Sequence, residues 1–198
     1  MAQTERLDAA RAQLVVVDVQ TKLLPHIVGA ERAGDGTAGH AAAGGLIGNV
    51  IKLIRAAVAL NLPLTYSEQY PQGLGPTDER VRAVGGAAAP VLTKTAFSVM
   101  GDEAAREHVV ALARPQVLLV GIETHVCVQQ TALDLVALQM QPFVLADAVG
   151  SRRALDRDVA LERMRAAGVV VTTVESAIFA LVRDAKSEAF KRILPIVK

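Results

Sequence analysis

Cysteine is almost absent from this chain: Cys127 is the only one in 198 residues. An intrachain disulfide is therefore excluded, and a reducing compartment, the cytoplasm, is the simplest expectation. Aromatic residues make up only 3% and there is no tryptophan, so alanine, valine and leucine must build the core. The net charge is +1 and no long basic run is visible, which argues against charge-driven binding of nucleic acid. No apolar stretch is long enough to suggest a membrane span. Met1 to Gln13 is polar and lacks the apolar centre of a signal peptide. The four histidines, at 26, 40, 108 and 125, show no metal-ligand spacing, so neither a metal nor another cofactor is expected.

What is present is a globular composition, 52% hydrophobic and 21% charged. The length fits one domain, 1–198, with a polar N-terminal segment at 1–12. Short apolar runs alternate with helical ones. Strands are expected at 14–18, 63–67, 90–93, 117–120, 143–146 and 169–172. Helices are expected at 46–60, where Ile47, Val50, Ile51, Ile54 and Val58 recur at helical spacing, and at 102–113, 126–140, 156–167, 176–183 and 188–193. Asp102 is placed to cap its helix and Gly168 to stop another. Two segments read as loops: the Gly/Ala-rich 29–45 and the turn-rich 71–76. Strands alternating with helices imply βαβ units. The predicted architecture is a three-layer α-β-α sandwich around a six-stranded parallel sheet, Rossmann-like, with ligands binding beyond the carboxyl ends of the strands.

Three chemically useful residues fall at such ends: Asp18, Lys94 and Cys127. Cys127 follows the apolar run Val117–Val120, where strand gives way to helix. Helix dipole and free backbone N–H groups would favour a thiolate there. A buried free cysteine is also a common packing residue, so it earns a catalytic reading only with a base and a cation beside it. Asp18 either caps a turn or takes the thiol proton. Lys94 is either a surface lysine or a cation that stabilises both neighbours. His125 stands two residues from Cys127 and reads better as a packing or rim residue than as its base.

Three stretches together resemble the isochorismatase-like cysteine hydrolase superfamily: Val16-Val17-Asp18-Val19-Gln20, Lys94 with Thr95-Ala96-Phe97-Ser98, and Gly121-Ile122-Glu123-Thr124-His125-Val126-Cys127. The segments 67–77, 147–152 and 163–168 are most similar to the isochorismatase domain-containing subgroup. The resemblance implies a catalytic triad of Asp18, Lys94 and Cys127. It also implies a cis peptide between Glu123 and Thr124, and an oxyanion hole made by the N–H groups of Thr124 and Cys127. The reaction implied is hydrolysis of an amide or carbamoyl C–N bond of a small molecule through a Cys127 thioester. Relatives that carry a metal use a histidine-bearing stretch where this chain has Ser67-Glu68-Gln69-Tyr70. Gln20, Tyr70, Phe97 and Thr124 are candidates to line the substrate pocket. A homo-oligomer is implied, with no nucleic-acid or membrane partner. Two alternatives stay open: a silent interaction domain, and isochorismatase-type or nuclease chemistry without a covalent intermediate.

Overall fold

The computed structural model describes residues 6–30 and 45–198. Its frame is six parallel strands: β1 (Ala12–Val17), β2 (Leu64–Gln69), β3 (Val91–Lys94), β4 (Gln116–Ile122), β5 (Gln141–Gly150) and β6 (Val170–Thr172). They lie in the order β3-β2-β1-β4-β5-β6. Helices connect them: α1 (Leu46–Ala59), α2 (Pro71–Leu74), α3 (Glu79–Val84), α4 (Glu103–Ala111), α5 (Gln129–Ala137), α6 (Ala154–Ala166), α7 (Val174–Val182) and α8 (Glu188–Val197).

Successive side chains of a strand point to opposite faces, and β1 divides accordingly. Leu14 and Val16 join Leu118, Val120 and Ile122 of β4 in one core, packed with Val50, Leu53 and Ile54 of α1 and Ile178 of α7. Val15 and Val17 join Val117 and Leu119 in a second core, packed with Val109 of α4, Ala132 and Leu135 of α5, and Leu161 and Met164 of α6. Both faces of the central strands are thus covered, which is why β1 and β4 read as unbroken apolar runs rather than alternating ones. Each fully buried Val or Leu contributes about 1.5–3 kcal/mol.

Most expected elements are present, with shifted ends. Asp102 caps α4 by accepting from Ala105 N at 3.0 Å, and Gly168, at φ +90°, follows the end of α6. The segment at 71–76, expected as a loop, contains the single helical turn α2. Helix α3 was not expected; Asp78 starts it by accepting from Arg80 N at 3.0 Å. Strand β5 runs to Gly150 instead of ending near 146, because its pairing with β4 jumps from Leu119↔Val144 to Gly121↔Val149. The irregularity includes Asp147, an acid that breaks the apolar pattern and whose carboxylate accepts from Val174 N at the start of α7. Most of the 29–45 segment lies outside the described residues. Among the described residues no helix is long and apolar enough to cross a membrane.

The strand order reverses direction between β1 and β4. Connections leaving these neighbours diverge to opposite sides, and a crevice opens at their carboxyl ends. Asp18 follows β1, and the Cys127 turn follows β4.

Candidate active site

Asp18 leaves β1 with φ 50°, a left-handed conformation that aspartate tolerates better than most residues. Gln20 N closes back on the Asp18 carbonyl at 2.7 Å. The Asp18 carboxylate is fully buried and held at both oxygens. Ser67 Oγ, on β2, donates to Oδ1 at 2.7 Å, and Lys94 Nζ donates to Oδ2 at 2.7 Å.

Lys94 ends β3, two strands from β1. Two inter-strand spacings amount to about 9.5 Å, so only a long side chain crosses β2 to reach Asp18. Its ammonium is buried, as a charge can be only when paired and hydrogen-bonded. It donates to Asp18, to Gln69 Oε1 at 2.7 Å and to the Phe97 carbonyl at 2.9 Å, with the Ala96 carbonyl at 3.3 Å. The 94–98 segment therefore curls round the ammonium it follows.

Cys127 sits in a π-helical turn, Thr124–Val128, that precedes α5; Gln129 N donates to the Thr124 carbonyl, five residues back. The α-helix expected from 126 thus begins only at Gln129. Thr124 and Cys127 are both buried. The Thr124 hydroxyl makes no hydrogen bond among the described residues. The Cys127 thiol faces the charges of both Asp18 and Lys94. Burial pushes this thiol up to about 12, the Asp18 charge adds to that, and Lys94 opposes it. This direction is opposite to the thiolate expected from the strand-to-helix junction. Desolvation and the facing carboxylate both favour the neutral thiol, and the nearby ammonium opposes them.

The cis peptide also lies elsewhere than expected. It is Ile122–Glu123, one bond before Glu123–Thr124. Pairing of β4 with β5 continues to Ile122↔Gly150, so the chain leaves the sheet at that bond. Glu123 then accepts from the backbone N and Nε of Arg152, at 3.0 and 3.1 Å. His125 Nδ1 meets Ser151 Oγ at 3.0 Å, which gives it a place beside the end of β5.

The candidate pocket residues separate. Tyr70 and Phe97 are both about half exposed and flank Lys94: Tyr70 N donates to the Lys94 carbonyl, and the Phe97 carbonyl accepts from Lys94. Gln20 is fully buried and spends its amide inside the protein. Nε2 donates to the Gln69 and Gly75 carbonyls and Oε1 accepts from Gln69 N. It braces the end of β2 instead of facing a ligand. Glu68, in the stretch where metal-bearing relatives have ligands, is committed to Thr77, accepting from its N at 2.6 Å and its Oγ1 at 2.8 Å. Among the described residues no group of histidine, cysteine, aspartate and glutamate is arranged to hold a metal ion. Ser67 and Gln69 were not singled out individually in the sequence. Their signal is register: Ser67 pairs with Val17, one residue before Asp18, and Gln69 pairs with Lys94.

An isochorismatase domain model matches residues 12–176. The chain belongs to the isochorismatase domain family. Isochorismatase domain-containing protein 2 of Danio rerio is 37% identical over 98% of this chain and 90% of that protein. Isochorismatase domain-containing protein 1 of the same fish is 41% identical over 74% of this chain, which spans about half (51%) of that relative's length. Among solved structures, the MAR1 ribonuclease of Caenorhabditis elegans superposes with a TM-score of 0.84 at 32% identity, covering 98% of this chain and 92% of that one. The Escherichia coli YcaC protein, described as an octameric hydrolase of unknown specificity, gives 0.84 at 26% identity, with 98% and 94% covered. Membership brings the parallel-sheet fold of that family.

Proposed function

We propose that the protein is a cysteine amidohydrolase that cleaves an amide or carbamoyl C–N bond of a small molecule. One observation carries this reading: a carboxylate and an ammonium from two strand ends meet in a buried ion pair, and the buried Cys127 thiol, from beyond a third strand end, lies within the field of both. A packing cysteine has no need of a buried ion pair. In the proposed cycle Cys127 Sγ attacks the substrate carbonyl while its proton passes to Asp18. The carbonyl oxygen becomes an oxyanion, received by backbone N–H groups of the Thr124–Cys127 turn. Collapse breaks the C–N bond, and Asp18 returns the proton to the departing nitrogen. Water then adds to the thioester and loses a proton to Asp18. The acid leaves as the thiol is restored.

The elevated thiol fits this scheme, since proton transfer then accompanies attack. Lys94 acts by charge: all three of its protons are committed to oxygen acceptors, so the moving proton belongs to Asp18. Tyr70 and Phe97 supply an apolar rim, which suits a small or planar acyl group. A homo-oligomer, as described for YcaC, is proposed here too.

The test is ammonia release from a panel of small primary amides and carbamoyl compounds, with intact-mass detection of an acyl-enzyme. Activity should vanish in Cys127→Ala. Turnover that survives that substitution would refute the covalent reading. RNA cleavage by wild type and Cys127→Ala alike would favour the ribonuclease activity named for the nematode relative.

A further inference from the structure

We propose that Gln69 is a positioning residue that holds the Lys94 ammonium in place and thereby sets its pull on the Cys127 thiol. The inference rests on the reading of Asp18, Lys94 and Cys127 as one reactive group. Gln69 ends β2 in register with Lys94 and is buried. Its Oε1 takes one of the three ammonium protons at 2.7 Å, as short a contact as that to Asp18.

The amide cannot turn round. Nε2 donates to the Thr95 carbonyl at 2.7 Å, so a reversed amide would set its NH2 against the ammonium and its oxygen against that carbonyl. Its backbone is fixed as well. Gln20 receives the Gln69 N–H at 2.8 Å and donates to the Gln69 carbonyl at 3.0 Å. Gln20, Gln69, Lys94, Asp18 and Ser67 thus form one continuous buried chain, anchored at the start of the 20–24 turn and ending on β2. Buried polar chains of this kind are rigid when every member is satisfied.

A neutral acceptor is what the arrangement requires. It fixes the cation without cancelling its charge, so the field of Lys94 still reaches Cys127. Gln69→Glu keeps an oxygen at that spot but adds a negative charge against the ammonium. Gln69→Met keeps the length and removes the acceptor.

The rate of Cys127 carboxamidomethylation by iodoacetamide, followed by intact mass from pH 7 to 10, tests this. Gln69→Glu should lower the line of log rate against pH by about tenfold at unchanged slope, the effect of one pKa unit. Gln69→Met should lower it by about threefold, with the far-ultraviolet spectrum unchanged in both. If Gln69→Glu does not fold, Gln69→Met decides alone. Rates within twofold of wild type in the folded variants, while Lys94→Ala falls well below, would overturn the role of Gln69 and leave the triad standing. Rates unchanged in Lys94→Ala as well would overturn the triad reading itself.

Discussion

Gly121→Ala should unfold the active end of the sheet by pushing one strand off its neighbour. Gly121 lies on β4 opposite Val17 of β1, at φ +118°. A Cβ there would overlap the Val17 carbonyl oxygen and lie 2.8 Å from both its carbonyl carbon and its nitrogen. Ordinary contact begins at 3.4 Å, so backbone, which has no rotamer to yield, must move by at least about 0.6 Å. Overpacking typically removes about 1–3 kcal/mol, and an L-residue held in a sparse backbone region about 1–3 kcal/mol more. With a backbone obstacle both act near their upper ends, and a loss of about 4 kcal/mol or more is expected. That is a large part of the roughly 5–15 kcal/mol available to a folded domain. Gly168→Ala is the control: φ is +90° but nothing lies within 4 Å, so only the backbone contribution remains. Urea unfolding of the two variants separates them. Gly121→Ala should lose over 1 M in midpoint for a slope of about 2–3 kcal/mol per M, and Gly168→Ala much less. The strand end it displaces precedes Asp18, so Cys127 alkylation should change as well. Equal midpoints for the two variants would refute the close-approach argument.

Two further outcomes follow from the buried charges. The folded chain holds the Cys127 proton up to about 12, whereas an unfolded chain releases it near 9.0. The unfolded state therefore binds fewer protons in that window. The stability from this group is complete below pH 9 and is lost as pH rises toward 12, by about 4 kcal/mol in full. Subtracting the alkaline unfolding curve of Cys127→Ala from that of wild type isolates the effect; parallel curves would contradict it. Lys94→Met leaves the Asp18 carboxylate buried with Ser67 as its remaining side-chain partner and should lose about 3–5 kcal/mol. Removing the carboxylate too, in Lys94→Met with Asp18→Leu, should recover much of that loss, which denaturation of the single and double variants would reveal.

The strand order places β1 and β4 side by side, and apolar runs alone were enough to locate both. Apolar runs also put Asp18 and Lys94 at strand ends and the Cys127 turn beyond another, but grouping the three as a candidate triad came from the family resemblance. What surrounds them was not legible. Ser67 and Gln69 act through register with Val17 and Lys94, and pairing partners are invisible along a single chain. Gln20 looked like a pocket residue because it follows Asp18, but turning back on Asp18 buries its amide against β2. The state of the thiol depended on how desolvation and two opposite charges balance in three dimensions. The junction of strand and helix, taken alone, carries neither the burial nor the Asp18 charge that push the thiol up. Likewise β5 hid its true length behind Asp147, whose carboxylate serves α7.

The height of the Cys127 proton affinity has a consequence for anything that hunts thiols indiscriminately. Burial and the facing Asp18 carboxylate both disfavour the anion, and peroxide and simple electrophiles attack that form. The resting protein should therefore pass through oxidative stress with its sulfur intact. It should also be overlooked by covalent probes chosen for fast-reacting cysteines. Reagents that bring a carbonyl to the crevice, and so recruit Asp18 as they bind, are the ones that should label it.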